Sequence, residues 1–273
     1  MNTGFGFSEI LLVLVIVVVF FGSKELPAFL REIAKLTAKV RRYSDRIKRE
    51  LDDVTRSLDP QPAPVADEHS TKKSELRKQY LSARKALDQS SRTEKSALIT
   101  ATVREYPAVQ KATMIMLYVE MGAEVITRPL IRELISSGKR VVLPYTVANT
   151  AEMRVAEVFD IDNDIVTGNY AVPEPREELR KKIFKSDIEM VLCPGVAFDP
   201  QGGRLGRGRG CYDGFLTELR GQVPIIGLAF DCQMLTKTLP FEYHDVPMDM
   251  VITENGIVVG SPERNVAASG LQG

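Results

Sequence analysis

The chain has 273 residues, and its 36 Lys+Arg balance 36 Asp+Glu, so no net field draws it onto nucleic acid and a general nucleic-acid coat is excluded. Cys193, Cys211 and Cys232 are odd in number and widely spaced; they offer neither a disulfide framework nor a CxxC metal pattern and point to a reducing compartment. Two histidines, His69 and His244, leave little from which to build a histidine metal centre or a Ser-His-Asp triad.

Residues 10–21, ILLVLVIVVVFF, are wholly apolar, and the run reaches back to Phe5 with Gly6, Ser8 and Glu9 interrupting it. A bilayer core asks for ~20 apolar residues, with ~17 at the lower limit. A cleaved signal peptide needs a basic leader and a small-residue cleavage site. Here no Lys or Arg precedes the run and FFGSKELP follows it. A buried core helix is the other alternative, although this run has no amphipathic side. The reading is a short membrane anchor. Lys24, Arg31, Lys35 and Lys39 follow the span, so the positive-inside rule puts the N-terminus outside and the rest of the chain in the cytoplasm, as a single-pass protein of the inner (plasma) membrane.

Beyond Pro27, Leu26, Phe29, Leu30, Ile33, Leu36, Val40, Ile47 and Leu51 recur at helical spacing, with Lys and Arg on the remaining faces. Such a basic amphipathic helix lies along an anionic membrane surface or packs on a soluble partner. Pro60, Pro62 and Pro64 then keep residues 59–70 extended. The expected division is a membrane anchor with amphipathic helix over 1–57, a linker over 58–70 and one domain over 71–273, long enough to bury a core of its own.

Within that domain the spacing predicts one long helix over 72–104 and a buried strand over 114–119. A helix follows through Leu130 and Leu134 to Gly138. Further strands are expected over 140–144, 153–158, 188–195, 224–230 and 250–259. Strands alternating with helices give an α/β fold with a mostly parallel, Rossmann-like sheet flanked by helices, whose ligands bind at the carboxyl ends of the strands.

The most informative stretch is residues 194–216, PGVAFDPQGGRLGRGRGCYDGFL, between a buried strand and a helix. Gly202, Gly203, Gly206, Gly208 and Gly210 permit close backbone approach, and their N–H groups suit an anion nest. Arg204, Arg207 and Arg209 interleave with them, and guanidinium groups bind phosphate through paired donors. Asp213, just beyond, suits Mg²⁺ bridging phosphates. The plain alternative is an RG-rich surface loop that contacts nucleic acid, but such segments belong to low-complexity tails and this one sits between core elements. It is neither a Walker A loop nor G-x-G-x-x-G.

These residues resemble the signature of the 5-formyltetrahydrofolate cyclo-ligases, or methenyltetrahydrofolate synthetases, and other segments agree in order over residues 71–260. KKSELRKQYLSARKAL resembles the family's N-terminal helix, LYVEMGAEVITRPLI its folate-holding strand, loop and helix, and YHDVPMDMVIT its C-terminal element. The resemblance implies ATP contacts at Lys73, Ser74, Glu75, Leu76 and Arg77. It implies further ATP contacts at Arg204, Leu205, Gly206, Arg207, Gly208, Arg209, Gly210, Cys211 and Tyr212. It also implies folate contacts at Val119 and Glu124 and at Arg207, Gly208, Arg209, Gly210 and Cys211. Arg207, Arg209 and Tyr212 are the implied catalytic residues, and Asp213 and Asp245 the Mg²⁺ candidates. The implied reaction joins ATP and 5-formyltetrahydrofolate to give 5,10-methenyltetrahydrofolate, ADP and phosphate. One position departs from the pattern: Cys211 stands where the family usually has the first of two tyrosines. Taken singly, Lys73 and Arg77 would read as a solvated helix face and Glu124 as a helix-dipole charge; only the ordered set carries the assignment. Residues 1–55 resemble the twin-arginine translocase A/B small subunits, with Phe21, Gly22, Ser23, Lys24, Glu25, Leu26 and Pro27 at the hinge. That resemblance implies translocase subunits as partners.

Overall fold

A computed structural model describes residues 68–261, except 148–149, 151, 169–170 and 243. All described residues fall in one compact unit, Ala66–Gly273. The apolar run and the basic helix expected over 1–57 lie outside the described residues, as does most of the expected linker. Among the described residues no helix is long and apolar enough to cross a membrane.

The single helix expected over 72–104 is two. Helix α1 spans Glu68–Lys85 and α2 spans Gln89–Glu105. Asp88 causes the break: its side chain accepts from Ser91 N at 2.8 Å, an N-cap that satisfies a free donor at the start of α2. Helix α2 buries Ser96, Ile99, Thr100 and Val103, one stripe at helical spacing. It stops at Tyr106, which the following proline holds extended (ψ 122°), and Pro107 opens the short α3, Pro107–Lys111.

Strand β1, Met114–Met116, is shorter than the expected 114–119 because the chain leaves the sheet after Leu117, whose N–H still donates to Val142 O at 3.0 Å. Helix α4, Arg128–Ser136, buries Leu130, Ile131 and Leu134. Strands β2, Arg140–Thr146, and β3, Met153–Val158, follow, then a small two-stranded sheet of β4, Ile165–Thr167, and β5, Pro173–Pro175. Strand β6 is Met190–Cys193. Strands β7, Ala197–Phe198, and β8, Arg204–Leu205, form a second small ladder, and α5 is Cys211–Leu216. Strand β9 is Ile225–Leu228. The run expected as one strand over 250–259 is a hairpin of β10, Met250–Thr253, and β11, Gly256–Val259, turning through Glu254 and Asn255, with Gly256 at φ 135°.

The main sheet runs β11-β10-β9-β6-β1-β2-β3. Its interior pairs are all parallel, with Ile115 opposite Val141 on one side and Met190 on the other; only the edge strands β3 and β11 are antiparallel. The central strands are buried on both faces, which explains their continuous apolar runs. Ile115, Met190, Leu192 and Ile226 face one core with α2 and α4; Met114, Met116, Val191 and Ile225 face the other with Phe215 and Leu216. From β1 the chain crosses to β2 on one side, and from β6 to β9 on the other. The crevice between the carboxyl ends of β1 and β6 is therefore the topological switch point, where open α/β sheets bind ligands.

Candidate functional site

A cavity of about 560 Å³ opens at that switch point. Tyr118 and Val119 enter it from the end of β1, Pro194 and Gly195 from the end of β6, and Tyr145 and Thr146 from the end of β2. Helix α1 contributes Lys73 and Arg77, and the stretch from Arg204 in β8 through the loop to Asp213 in α5 closes one side.

That loop is shaped by glycine at defined points. Gly202, Gly208 and Gly210 have φ of 85°, 99° and 68°, in the left-handed region open to glycine. A methyl at Gly202 would run into the carbonyl of Met248, whose N–H donates to Gly202 O at 2.8 Å. Asp199, fully buried, ties the preceding turn: Oδ1 accepts from Gln201 N and Gly203 N at 2.8 Å each, and Oδ2 from Leu239 N at 2.7 Å.

Every cation described in detail at the cavity meets a carboxylate or a carbonyl. Lys73 Nζ donates to Glu242 Oε1 and Asp245 Oδ2 at 2.8 Å each. Arg77 Nε donates to Gly206 O at 3.0 Å, so α1 and the loop are joined directly. Arg204, nearly enclosed at 3% side-chain exposure, donates through Nη2 to Asp213 Oδ1 at 2.8 Å and lies 5.3 Å from the centre of the Tyr212 ring. Burial works against its charge, but Asp213 outweighs that and holds its pKa above the usual value. Arg207 Nη2 donates to Glu124 Oε1 at 2.7 Å. Beneath them Arg84 Nη1 donates to Gly195 O at 3.0 Å, with Nη2 3.8 Å from Glu124 Oε1. Burial pushes the Arg84 pKa down, and Glu124 counters it. The phenols of Tyr118 and Tyr212 are pushed well above 10 chiefly by burial and stay protonated donors. Burial raises the Cys193 thiol to about 12, which keeps it inert.

Lys73 carries a pH signature. Burial penalises its ammonium, yet the hydrogen bonds to Asp245 and Glu242 outweigh that and raise its pKa above 10.5. A raised folded-state value stabilises the fold in full below the ordinary value, and the contribution is lost as pH rises through the folded value. We therefore expect a Lys73→Met variant to be less stable than wild type at neutral pH and to lose less stability on alkaline titration. Urea midpoints followed from pH 8 upwards that fall in parallel for both chains would refute this.

The family model described as the 5-formyltetrahydrofolate cyclo-ligase family matches residues 69–254, a span that contains every element lining the cavity. The chain belongs to this family. The 5-formyltetrahydrofolate cyclo-ligase of Escherichia coli strain K12 is 30% identical over 175 residues, covering 64% of this chain and 96% of that protein. The probable 5-formyltetrahydrofolate cyclo-ligase of Schizosaccharomyces pombe is 28% identical, covering 69% of this chain and 98% of that one. Among solved structures, the 5,10-methenyltetrahydrofolate synthetase of Aquifex aeolicus superposes with a TM-score of 0.60 at 29% identity, over 68% of this chain and 92% of that one. A second family model, described as the mttA/Hcf106 family, matches residues 3–50, outside the described residues.

The cyclo-ligase domain brings most of the sequence-predicted residues together. Lys73, Arg77, Val119, Glu124, Asp245 and all ten residues over 204–213 line the cavity. Ser74, Glu75 and Leu76 do not: Ser74 and Glu75 are exposed, and Leu76 packs against the small apolar cluster of Ala197, Leu205, Leu235 and Leu239. On a helix only positions near i and i+4 share a face, so Lys73 and Arg77 point inwards while 74 and 75 turn away. Asp213 and Asp245 are each paired with a cation through one oxygen. Among the described residues no three carboxylate, histidine or cysteine groups gather in a way that would hold a metal ion. Sequence reasoning missed Arg84, Glu242 and Gln233. Arg84 lies on the Lys73/Arg77 stripe of α1, one signal that was there to read. Gln233 Nε2 donates to Gly195 O at 2.9 Å and Val196 O at 3.1 Å, sharing the Gly195 carbonyl with Arg84, and nothing local in the sequence announces it.

Proposed function

We propose that the domain closes the ring of 5-formyltetrahydrofolate to 5,10-methenyltetrahydrofolate with ATP, releasing ADP and phosphate. The observation that carries this reading is the meeting of Lys73 and Arg77 of α1 with the glycine-arginine loop at the switch-point cavity. The formyl oxygen attacks the γ-phosphorus and ADP leaves. The resulting imidoyl phosphate is attacked by N10, and phosphate departs as the five-membered ring closes. No protein nucleophile is needed. The chain's own task is to align the two substrates and neutralise phosphate charge. Lys73, Arg77 and the N–H groups between Gly206 and Gly210 suit the phosphates. Arg207 and Arg209 suit the transferring group, with the Tyr212 phenol as a further donor. Glu124, buried and lining the cavity as Val119 does, suits the donor edge of the pterin.

Magnesium fits this site as an ion carried mainly by phosphate oxygens, the usual habit of Mg²⁺. Asp213 and Asp245 each keep a second carboxylate oxygen beyond the one bonded to Arg204 or Lys73 and would hold it. Bound there, it would supply positive charge that offsets the charge of the phosphates.

A second cavity shares Tyr145, Met153 and Cys211 with the first and is lined by Arg154, Arg180, Lys181, Lys182 and Lys185 against Glu152 and Glu218. This excess of positive charge suits the carboxylates of the folate's glutamate. Replacing Lys181 and Lys182 together by alanine should raise the folate KM by up to about tenfold, since exposed ion pairs are individually weak, and leave the ATP KM alone. An ATP KM that moves in step would remove this groove from folate binding.

The reading as a whole is tested by giving the purified full-length chain ATP and 5-formyltetrahydrofolate. Methenyl product should form with one ADP and one phosphate released per ring closed; a folded chain that binds neither substrate overturns it. The mttA/Hcf106 match over residues 3–50 supports an added reading, that residues 1–57 tether the enzyme to the cytoplasmic face of the inner membrane. Removing them should release the enzyme from the membrane fraction with kcat intact. A second activity, as a translocase component, rests on the same match. It predicts that the full chain restores export in cells lacking a translocase small subunit, and failure to do so leaves the segment an anchor only.

A further inference from the structure

Glu124 stands between two arginines of opposite character. Its Oε1 accepts from Arg207 Nη2 at 2.7 Å, and Arg84 Nη2 lies 3.8 Å from the same oxygen. Arg207 has a side chain 46% exposed and rides on a loop between Gly206 and Gly208. Arg84 has a side chain 4% exposed, is carried by α1 and is anchored to Gly195 O. The carboxylate itself is 8% exposed and held in place by Met121 N, which donates to Oε2 at 3.0 Å. One counter-charge is thus fixed, and the other is free to be exchanged.

The cyclo-ligase reading asks Glu124 to bind the pterin's donors and Arg207 to reach the terminal phosphate, yet in the structure each holds the other. A single exchange resolves both demands. We propose that the Arg207–Glu124 ion pair is a latch coupling the two substrates: the pterin's amino and ring N–H donors take over Glu124 and release Arg207 to the terminal phosphate, while Arg84 remains as a positioning residue that keeps Glu124 compensated throughout. A buried carboxylate stripped of its only counter-charge is strongly disfavoured, so without Arg84 the latch would stay shut. With it, the 3.8 Å separation needs only a small approach to become a hydrogen bond. Because coupling between binding sites is reciprocal, folate should tighten ATP binding by the same factor as ATP tightens folate binding.

The proposal rests on the cyclo-ligase reading. It is tested by calorimetry on the full-length chain, titrating the β,γ-imido analogue of ATP with and without saturating 5-formyltetrahydrofolate. Wild type should bind the analogue on the order of tenfold more tightly with folate present. Glu124→Gln, which cannot form the ion pair, should bind the analogue tightly without folate and show a coupling factor near one. Arg84→Met should raise the folate KM and drive coupling towards one, and Arg84→Lys, which keeps the charge, should recover part of it. A purely structural Arg84 would lower stability in the Met variant and leave the coupling factor of the folded protein unchanged, which overturns the proposal. Should Arg84→Met not fold, the Gln and Lys variants decide alone. Equal analogue affinity with and without folate in a wild-type chain that does form methenyl product also overturns the latch. A wild-type chain forming no product fails the cyclo-ligase reading itself, so the two failures are distinct.

Discussion

Replacing Arg207 by alanine should lower the rate of ATP-dependent ring closure by on the order of 10²–10³, the loss typical of one preorganised charge stabiliser. The side chain is nearly half exposed, so little packing is lost with it. Glu124 is not abandoned either, because Arg84 lies 3.8 Å away. The damage should therefore fall on turnover, with thermal stability almost unchanged. Arg207→Lys should recover only part of the rate, since an ammonium offers a point charge where a guanidinium offers a fork. The measurement is methenyl formation at saturating ATP and folate, with a melting curve beside it. Full-rate ring closure by the alanine variant would take Arg207 out of the mechanism.

Arg204, three residues earlier on the same loop, should behave in the opposite way. Its guanidinium is almost wholly enclosed and bonded to Asp213, and its Nε has no hydrogen-bond partner among the described residues. Arg204→Ala leaves Asp213 half-enclosed, its Oδ1 retaining a 3.4 Å contact from Val246 N. Breaking such a buried pair by removing one partner costs about 3–5 kcal/mol. We expect a large fall in the urea midpoint, with the denaturant slope little changed. A double variant, Arg204→Met with Asp213→Leu, should regain much of that stability, because an apolar pair of similar volume avoids the desolvation penalty. Urea midpoints for wild type, the single variant and the double variant check this; a stable Arg204→Ala chain with reduced nucleotide affinity would show instead that Arg204 acts on phosphate directly. On this expectation neighbouring arginines in one motif would divide between turnover and stability, following their burial.

That division was not visible in the residue pattern. The motif over 204–213 stood out in the sequence because glycine and arginine alternate between two core elements, and the whole of it lines the cavity. The spacing of Lys73 and Arg77 was equally legible, since a helix has a known period. Arg84 shares their helix stripe, but the stripe alone does not tell a buried arginine from a solvated one. Only the packing of α1 against β7 and the turn over Asp231–Gln233 encloses it. The direction of β3 was also hidden: an apolar run over 153–158 marks a strand, but alternation carries no information on whether its neighbour runs parallel or antiparallel.

The alternation of strands and helices, the continuous apolar strands of a sheet covered on both faces, and the residue types suited to a polyphosphate could all be read from the chain alone, because they follow from local periodicity and side-chain chemistry. The tertiary structure alone decided which carboxylate answers which cation. Lys73 reaches Glu242 and Asp245 from more than 160 residues away, and Glu124 faces Arg207 across 83. Charge pairing of that kind depends on distance in space, and the distance is set by how the strands are ordered in the sheet rather than by any spacing along the chain.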